Sequence, residues 1–367
     1  MGQNLNRKVL IVVNTFDVGG VEILIFNICN NIKKIEFHIF CNDINMDSYI
    51  VKELNKQNIL ISHFASSKNL YISIWKLWKI MRKNDYEAVH TNLLFFNWLV
   101  LFFAFLSGIK KRISHSHGYI NFKKAKFHAI IRYYIKMPLK PLISLFATKL
   151  IAASKQAGVY LYGKNSNFDV IKNAIDIQKF AFNSFAREQF REKNNLQKQF
   201  IIGHVGRFSR EKNHPFLIDI FYEIYKQNIE VVLMLAGDGK WKKTIEQKII
   251  NLGLQNNVKF VGTEKNVSEL YQAMDCFIFP SFNEGLGIAV IEAQCSGLPC
   301  FISDGVPDEA AIINTTKIPL SKDPKEWADI ILEKIKDFKR KDCSFEIKQA
   351  GFDIKDVIKQ IEEEYLK

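Results

Sequence analysis

The chain has 367 residues, of which 48% are hydrophobic, and carries a formal net charge of +13. This length can bury two cores of ordinary size, and the apolar content excludes an intrinsically disordered protein. The charge is uneven, since residues 1–180 hold 25 Lys and Arg against 10 Asp and Glu, and the remainder holds 26 against 28. A basic N-terminal half predicts a negatively charged partner, either an anionic membrane or nucleic acid, with a purely solubilising charge as the alternative.

The cysteines and the N-terminus indicate the compartment. The six cysteines are scattered, with no Cys-x-x-Cys pair and no metal-ligand spacing to histidine. This pattern favours free thiols in a reducing cytoplasm over a disulfide scaffold. Residues 1–8 lead directly into a strand, so we expect no secretory signal.

The N-terminal half alternates short apolar runs with amphipathic stretches. Residues 8–13 predict a buried parallel strand, Gly19 and Gly20 form the following loop, and residues 21–32 have a helical period. This opening is typical of a doubly wound α/β domain, although it lacks the full Gly-x-Gly-x-x-Gly dinucleotide fingerprint. Further strands are predicted at 37–40, 59–62 and 88–90, and helices near 47–57 and 70–84. The alternation predicts a parallel sheet with helices on both faces.

Two later stretches bear on membrane contact. Residues 93–109 are nearly uncharged and are at the lower limit for spanning a bilayer. A buried or partly membrane-facing helix fits the neighbouring strands better than a transmembrane span. Residues 122–145 interleave Lys and Arg with aromatic and aliphatic residues, which predicts docking on an anionic bilayer. A helix with a solvated basic face is the alternative, and nucleic acid is not favoured because no recognition module is present.

A His-x-His pair follows the basic strand at residues 110–114. His115 and His117 resemble metal ligands in type, but no Cys or carboxylate cluster accompanies them. We therefore expect a structural or hydrogen-bonding role and predict no metal.

The C-terminal half begins with a strand at residues 200–206, followed by Arg207 and Lys212. Cations at the end of such a strand face the crevice where ligands bind in α/β sheets. They can neutralise a departing diphosphate. The alternative is an exposed basic loop.

A strand, a glycine loop and a helix follow at residues 276–299. The loop contains Glu284, Gly285 and Gly287, and the helix continues to Glu292. Free N–H groups at a helix start bind anions, and carboxylates accept hydrogen bonds from sugar hydroxyls, so the combination predicts a nucleotide sugar. The separation of the two glutamates is a little over two helical turns, which predicts Glu284 at the mouth and Glu292 further along a similar face. The alternative is two solvated glutamates beside turn-forming glycines.

These residues carry a specific resemblance. Glu284-x7-Glu292, with Gly-Leu-Gly after the first glutamate and Glu-Ala-x-x-x-Gly-x-Pro at the second, resembles the signature of the retaining glycosyltransferases of family 4, in particular bacterial capsule and exopolysaccharide members. The resemblance covers nearly the whole chain, is strongest at 200–310, and includes a hinge-like segment at 169–176 with Ala174 where glycine is usual. It implies the α/β GT-B fold, with two Rossmann-like, doubly wound domains facing a central cleft. The expected divisions are an acceptor- and membrane-facing domain at 1–182, a nucleotide-sugar-binding domain at 183–350, and a helix at 351–367 packing back toward the first domain. The polar, charged stretch at 183–199 is expected to hold the linker and the entry to the second domain.

The resemblance also implies chemistry. A hexose or N-acetylhexosamine would pass, with retained configuration and without a metal or other cofactor, from a nucleotide-diphosphate sugar to a lipid-linked or polysaccharide acceptor. UDP is the expected nucleotide, and the protein would lie peripherally on the inner face of the plasma membrane. The implied catalytic residues are Arg207, Lys212, Glu284 and His117, and the implied donor-binding residues are Gly19, Gly20, Gly285, Leu286, Gly287 and Glu292. Glu284 would hold the hydroxyls of the sugar and Glu292 those of the ribose.

Two other functions remain open. A GT-B epimerase or phosphorylase would use other catalytic groups, and a phosphorylase would need a site for phosphate or a pyridoxal lysine, which the sequence does not reveal. A non-catalytic nucleotide-sugar-binding scaffold of a polysaccharide assembly is the second. The intact set of Arg207, Lys212, Glu284 and Glu292 argues against the scaffold.

Overall fold

The computed structural model describes residues 7–16, 19–63, 70–118, 127–227, 230–263 and 266–367. The chain divides into two compact units. Unit 1 combines the described residues up to Ala174 with Ile354–Lys367, and unit 2 comprises Ile175–Asp353.

Unit 1 is built on a seven-stranded parallel sheet in the order β3-β2-β1-β4-β5-β6-β7. The strands are β1 Arg7–Phe16, β2 Ile35–Ile44, β3 Leu60–His63, β4 Ala88–Thr91, β5 Lys111–Ser116, β6 Lys149–Ala152 and β7 Asp169–Val170. The helices are α1 Gly20–Asn31, α2 Tyr49–Lys56, α3 Leu70–Lys83, α4 Asn97–Leu106, α5 Phe127–Lys136, α6 Lys140–Phe146, α7 Lys155–Tyr162 and the C-terminal α16 Ile354–Leu366. The predicted elements of this half are confirmed, apart from shifts of a few residues at their ends.

Both faces of β1 are buried, which explains its continuous apolar sequence. Val9, Ile11 and Val13 pack with residues of α1 and α16. Leu10 and Val12 pack on the opposite face with residues of α3 and α4. Because side chains alternate along a strand, a strand covered by helices on both faces needs apolar residues at every position.

Unit 2 holds a six-stranded parallel sheet in the order β10-β9-β8-β11-β12-β13. The strands are β8 Phe200–Val205, β9 Val231–Ala236, β10 Val258–Gly262, β11 Cys276–Phe279, β12 Cys300–Ser303 and β13 Thr315–Ile318. The helices are α8 Ile177–Phe180, α9 Ser184–Lys193, α10 His214–Tyr225, α11 Lys242–Asn251, α12 Val267–Ala273, α13 Ile288–Cys295, α14 Pro324–Ile335 and α15 Ser344–Gln349.

The direction of strand order reverses between β1 and β4 in unit 1 and between β8 and β11 in unit 2. Ligands of doubly wound sheets bind outside the carboxyl ends of the strands at such a reversal. In unit 1 these ends lead to Gly20, Asn92 and His117, and in unit 2 they lead to Lys212 and Glu284. The described strands of each unit therefore have one such reversal, at which we expect a ligand-binding crevice.

The division of the chain differs from the predicted bounds of 1–182, 183–350 and 351–367. It falls at Ala174, inside the hinge-like segment, because Ile175, Ile177 and Phe180 are buried in the core of unit 2. Residues 183–199, expected as a linker, include helix α9. At the other end, α16 packs on α1 within unit 1.

The apolar stretch at 93–109 forms a short 3-10 turn and then α4, a helix of ten residues. Its Asn97 is fully buried, where Thr91 Oγ1 donates to Asn97 Oδ1 and Asn97 Nδ2 donates to Ser114 Oγ. In the ranges that the structure describes, no helix has both the length and the apolar character needed to cross a bilayer.

Candidate functional site

Lys212 and Glu284 form an ion pair in the unit 2 crevice. Lys212 Nζ donates to Glu284 Oε1 at 2.8 Å and to Oε2 at 3.0 Å. The lysine side chain is 19% exposed and the glutamate side chain 11%. Lys212 Nζ also lies 4.5 Å from the centre of the Phe279 ring. The two residues come from loops after β8 and β11, which are neighbours in the sheet.

The loop after Glu284 offers backbone donors. The Glu284 amide donates to Gly305 O. The amides of Gly285, Leu286 and Gly287 donate to no acceptor within the described part of the chain. Gly287 has φ +89°, a left-handed conformation that favours glycine, and caps the start of α13. Consecutive free amides at a helix start are suited to an anion such as a phosphate.

Arg207 lies on the loop after β8, which also leads to Lys212. This loop is anchored to the end of β9, since Gly206 N donates to Ala236 O at 2.9 Å and Phe208 N donates to Asp238 O at 2.8 Å. The Arg207 side chain is exposed. The structure thus places a solvent-facing guanidinium five residues before the half-buried Lys212.

Glu292 lies in α13 and has a different partner from Glu284. The Tyr271 hydroxyl donates to Glu292 Oε2 at 2.8 Å and lies 3.2 Å from Ala289 O. Burial raises the pKa of Glu292 to about 7, while the bond from Tyr271 and the charge of Lys179 act in the opposite direction. The carboxyl group is therefore held in the range where it exchanges a proton near neutral pH.

The helical-spacing argument for the two glutamates is wrong. Helix α13 begins at Ile288, so Glu284 precedes the helix and no helical period relates it to Glu292. The Gly285–Gly287 turn separates them because Gly287 takes a left-handed conformation. Glu284 consequently pairs with a cation, and Glu292 with a buried phenol.

Two buried histidines lie next to Lys212. A Cβ added at Gly206 would lie 3.3 Å from both His204 Nε2 and Lys212 Cε. His204 Nδ1 donates to Ile278 O, whereas His204 Nε2 and both ring nitrogens of His214 have no partner within the described residues. Burial lowers the pKa of His204 to about 4 and that of His214 to about 2, and the charge of Lys212 acts in the same direction. Both rings are therefore neutral near pH 7.

His117 stands at the crevice of unit 1. Asn92 Nδ2 donates to Val12 O, so Asn92 Oδ1 faces His117 Nε2 at 2.7 Å and accepts its proton. His117 Nδ1 is 3.3 Å from Asn173 Oδ1. A Cβ added at Gly20 would lie 3.9 Å from Asn173 Nδ2. Gly20 and His117, both predicted as site residues, therefore lie beside the same residue, Asn173. A Cβ added at Gly19 would instead contact the Glu22 carboxylate.

A chain of buried aromatic side chains runs from α16 to His117. The Tyr365 hydroxyl donates to His90 Nδ1 at 2.6 Å, and His90 Nε2 lies 3.1 Å from His115 Nδ1. The rings of His115 and His117 are 3.8 Å apart. Burial lowers the pKa of His90 to about 3 and of His117 to about 4, and holds that of His115 well below its usual value.

The described residues contain no group of three His, Cys, Asp or Glu side chains arranged to hold a metal ion. The expectation that catalysis needs no metal stays a prediction.

Sequence reasoning missed Tyr271, Asn92 and Asn173. Tyr271 is fully buried in helix α12, beside Leu270 and Ala273, so its sequence context is that of an ordinary core residue. Asn92 had a usable signal, because it is a polar residue directly after the buried strand β4, where ligand-facing loops begin.

Comparison with known families covers both units. The sequence model described as "Glycosyltransferase Family 4" matches residues 18–179. The model described as "Glycosyl transferases group 1" matches residues 186–349.

Individual relatives extend over most of the chain. A Bacillus subtilis protein named as a glycosyltransferase, EpsF, is 30% identical over 336 residues, which cover 89% of this chain and 87% of EpsF. The capsular polysaccharide biosynthesis glycosyltransferase CapH of Staphylococcus aureus is 26% identical, with 98% of each chain covered. An Escherichia coli UDP-Gal:α-D-GlcNAc-diphosphoundecaprenol α-1,3-galactosyltransferase is 26% identical over 63% of this chain and 61% of its own.

Solved structures show the same fold. Anabaena Alr3699/HepE, crystallised with UDP and glucose, superposes with a TM-score of 0.78 at 20% identity, over 97% of this chain and 98% of that one. The predicted α/β GT-B fold with two Rossmann-like units is thereby confirmed.

Proposed function

The chain belongs to glycosyltransferase family 4, and from that premise we propose that it transfers a hexose or N-acetylhexosamine from a nucleotide-diphosphate sugar to a lipid-linked or polysaccharide acceptor, with retained configuration. The observation that carries the proposal is the unit 2 crevice, which combines a half-buried Lys212–Glu284 pair, free loop amides and Glu292. Cationic and neutral donors there match a diphosphate, and the carboxylates match hydroxyls.

The proposed mechanism stabilises the leaving diphosphate. Lys212, Arg207 and the amides of residues 285–287 supply positive charge where negative charge grows as the sugar–phosphate bond breaks. Preorganised donors of this kind supply several kcal/mol of barrier lowering. Glu284 holds Lys212 in place and accepts hydrogen bonds from sugar hydroxyls, and Glu292 accepts from the ribose. We assign no protein base to the acceptor proton, which would pass to the leaving phosphate, and no metal.

His117 is proposed as an anion-binding residue of the unit 1 crevice. Its neutral ring carries the Nε2 proton, because Asn92 accepts there, and Nδ1 faces Asn173. An approaching phosphate favours the doubly protonated ring, in which both nitrogens donate. The doubly protonated ring then binds the negative charge of the phosphate.

The donor and acceptor classes rest on the relatives. UDP is present in the Anabaena structure, and the Escherichia coli relative is named for UDP-galactose and a diphosphoundecaprenol-linked sugar. EpsF and CapH are named for glycosyltransfer, and CapH for capsular polysaccharide. We propose a UDP-sugar donor and a role in capsule or exopolysaccharide synthesis at the cytoplasmic face of the plasma membrane.

Membrane association is proposed to use one surface of unit 1, which we call the apolar–basic surface. It consists of exposed apolar side chains on α4, α5 and α6 and the turn between α5 and α6, namely Phe105, Leu106, Ile135, Met137 and Leu145. Arg112 lies over the Phe105 ring at 5.5 Å, and Lys136 lies over Phe96 at 5.0 Å. Between Glu87 and Asp169 the sequence has twelve Lys and Arg residues and no Asp or Glu. Apolar side chains flanked by cations suit an anionic bilayer. Residues 122–126 of the predicted basic segment lie outside the described residues.

The test is donor binding followed by turnover. Thermal shifts are measured with UDP-, GDP-, ADP- and dTDP-sugars, because a ligand that binds only the native state raises its stability. We expect a shift with UDP-sugars that is lost in Glu292→Ala. Turnover is then assayed with a lipid-linked acceptor in vesicles, and the anomeric configuration of the product is read by NMR. Binding without release of UDP would favour the scaffold, and an inverted product would overturn the retaining mechanism.

A further inference from the structure

Tyr271 is the buried partner of Glu292. Its side chain is fully buried, packs against the rings of Phe180 and Phe277, and donates to Glu292 Oε2 at 2.8 Å. No other hydrogen bond to the Glu292 carboxyl group is found within the described residues, so Oε1 has no donor in that part of the chain. The two carboxylate oxygens are thus unequal, with one held by the protein and one left for a ligand.

The backbone carbonyl group of Tyr271 is also held by a hydrogen bond, from Arg340. Arg340 Nη2 donates to Tyr271 O, and Arg340 Nη1 donates to Gln272 O and Met274 O, each at 2.8 Å. Arg340 Nε donates to Ser296 O, just after the end of α13. One guanidinium therefore ties the end of α12, which carries Tyr271, to the end of α13, which carries Glu292. This places the phenol and the carboxyl group on two helices clamped together, as a preorganised site requires.

From this geometry we propose that Tyr271 is a positioning residue that sets the discrimination between ribonucleotide and 2′-deoxyribonucleotide donors. The inference rests on the proposed ribose-binding role of Glu292. By occupying Oε2, the phenol fixes the rotation of the carboxyl group and leaves Oε1 directed at the ribose hydroxyls. A site built around a fixed acceptor rejects a ligand that lacks the matching hydroxyl, because the acceptor is then left without a donor. A freely rotating carboxyl group can find water instead, and its discrimination falls.

The test compares the dissociation constants of UDP and 2′-deoxy-UDP by calorimetry. In the wild type we expect the deoxy ligand to bind about tenfold more weakly or worse, as loss of one hydrogen bond to a charged group predicts. We expect Tyr271→Phe, which removes only the hydroxyl, to reduce this ratio at least about threefold. If UDP does not bind but GDP or ADP does, the same pair is formed with that nucleotide.

A matched control separates positioning from stability. Tyr365→Phe removes another fully buried phenol that donates one hydrogen bond, to His90 in unit 1. Both variants should lower the melting temperature by a similar amount. Only Tyr271→Phe should change the ratio of dissociation constants. An equal change in both variants would overturn the inference, because it would report general loosening of the structure.

A double-mutant cycle with Glu292→Gln tests separately whether Glu292 binds the ribose and whether Tyr271 acts through Glu292. If Glu292→Gln leaves the ratio unchanged, the ribose role itself fails, and the inference fails with it. If Glu292→Gln lowers the ratio but Tyr271→Phe does not, only the inference fails. If Tyr271 acts through Glu292, the double variant should match Glu292→Gln alone. Should Tyr271→Phe alone not fold, the double variant can still be measured, because the neutral glutamine leaves no buried charge without a donor. A lower ratio in the double variant than in Glu292→Gln would then contradict the inference.

Discussion

Lys212 donates two hydrogen bonds to the two carboxylate oxygens of Glu284, at 2.8 and 3.0 Å. An ammonium group has three N–H donors, so one remains for a further acceptor. Glu284 therefore does not merely neutralise Lys212 but fixes where its remaining proton points. A phosphate oxygen placed along that direction would be bound by a lysine that needs no reorganisation.

Removing the charge of Lys212 should lower kcat/KM strongly and the free energy of unfolding moderately. We expect Lys212→Met to lower kcat/KM about 100-fold or more, the usual cost of one preorganised donor to a developing anion. It should also destabilise the fold by about 2 kcal/mol, because Glu284 is left largely buried without its partner. Kinetics and urea unfolding measure the two effects.

Lys248→Met is the matched control. It breaks the Lys248–Asp219 pair on the surface of the same unit, at 2.6 Å with both side chains about one third exposed. An exposed pair of this kind contributes about 1 kcal/mol or less, and kcat/KM should not change. Similar kinetic losses in both variants would contradict a specific role for Lys212.

Donor affinity should depend on pH through Glu292. Burial raises its pKa to about 7, so below pH 7 the carboxyl group is protonated and loses acceptor capacity for ribose hydroxyls. We expect UDP affinity to rise between pH 6 and pH 8. The terminal phosphate of UDP titrates in the same range, and therefore the measurement is the difference in slope between the wild type and Glu292→Gln. Parallel slopes would exclude Glu292 as the titrating group.

Acid should destabilise unit 1 more than unit 2. Burial lowers the pKa of His38, His90, His115 and His117 in unit 1. A neutral buried ring takes up its proton only on unfolding, so each costs about 2 kcal/mol of stability as pH falls from 6.5 to 5. In unit 2 the loss from its two buried histidines, which lie beside Lys212, is opposed by Glu292. The raised pKa of that residue stabilises the folded state as pH falls below 7.

Hydrogen exchange followed by mass spectrometry can test this difference, because it reports opening free energies for peptides of each unit. We expect peptides of β1, β4 and β5 to lose several kcal/mol of protection free energy between pH 7 and pH 5, after correction for intrinsic exchange rates. Peptides of β8, β9 and β11 should lose much less. Equal losses in the two units would contradict the assignment of neutral histidines to unit 1.

The sequence predicted individual site residues better than their partners. Lys212 and Glu284 were identified separately, each at the end of an apolar strand, because strand ends are visible in local sequence. Their ion pair depends on β11 lying next to β8, which joins residues 72 positions apart. No local pattern determines that neighbour relationship.

Helix α9, in the segment at 183–199 expected as the linker and the entry to the second domain, was not predicted for a similar reason. The segment is polar and charged, as linkers are, but Arg187 and Arg191 bind the carboxylate of Asp275 and the carbonyl groups at the end of α12. These bonds secure α9 to unit 2. A polar stretch whose partners lie more than 80 positions away is not distinguishable from a solvated one by composition.

The apolar–basic surface should bind anionic vesicles. We expect Ile135→Ser with Leu145→Ser to weaken binding to vesicles containing phosphatidylglycerol about tenfold or more. These side chains are 70% and 69% exposed, and burying one large aliphatic side chain contributes about 1.5–3 kcal/mol. The control is Phe185→Ser with Phe345→Ser, which removes two phenylalanines of unit 2 that are 65% and 67% exposed. Vesicle sedimentation measures both variants.

Changes in salt concentration and in lipid charge distinguish the electrostatic contribution to vesicle binding from the apolar one. Cations near the surface, such as Lys136 and Arg112, attract anionic headgroups over about a Debye length, so binding should weaken from 0.05 to about 0.5 M salt. With purely zwitterionic vesicles the wild type should bind weakly, and the effect of the serine substitutions should shrink. Equal losses in the unit 1 and unit 2 variants would show that exposed apolar area alone determines the binding. Unchanged binding of the unit 1 variant would place the membrane contact elsewhere on the chain.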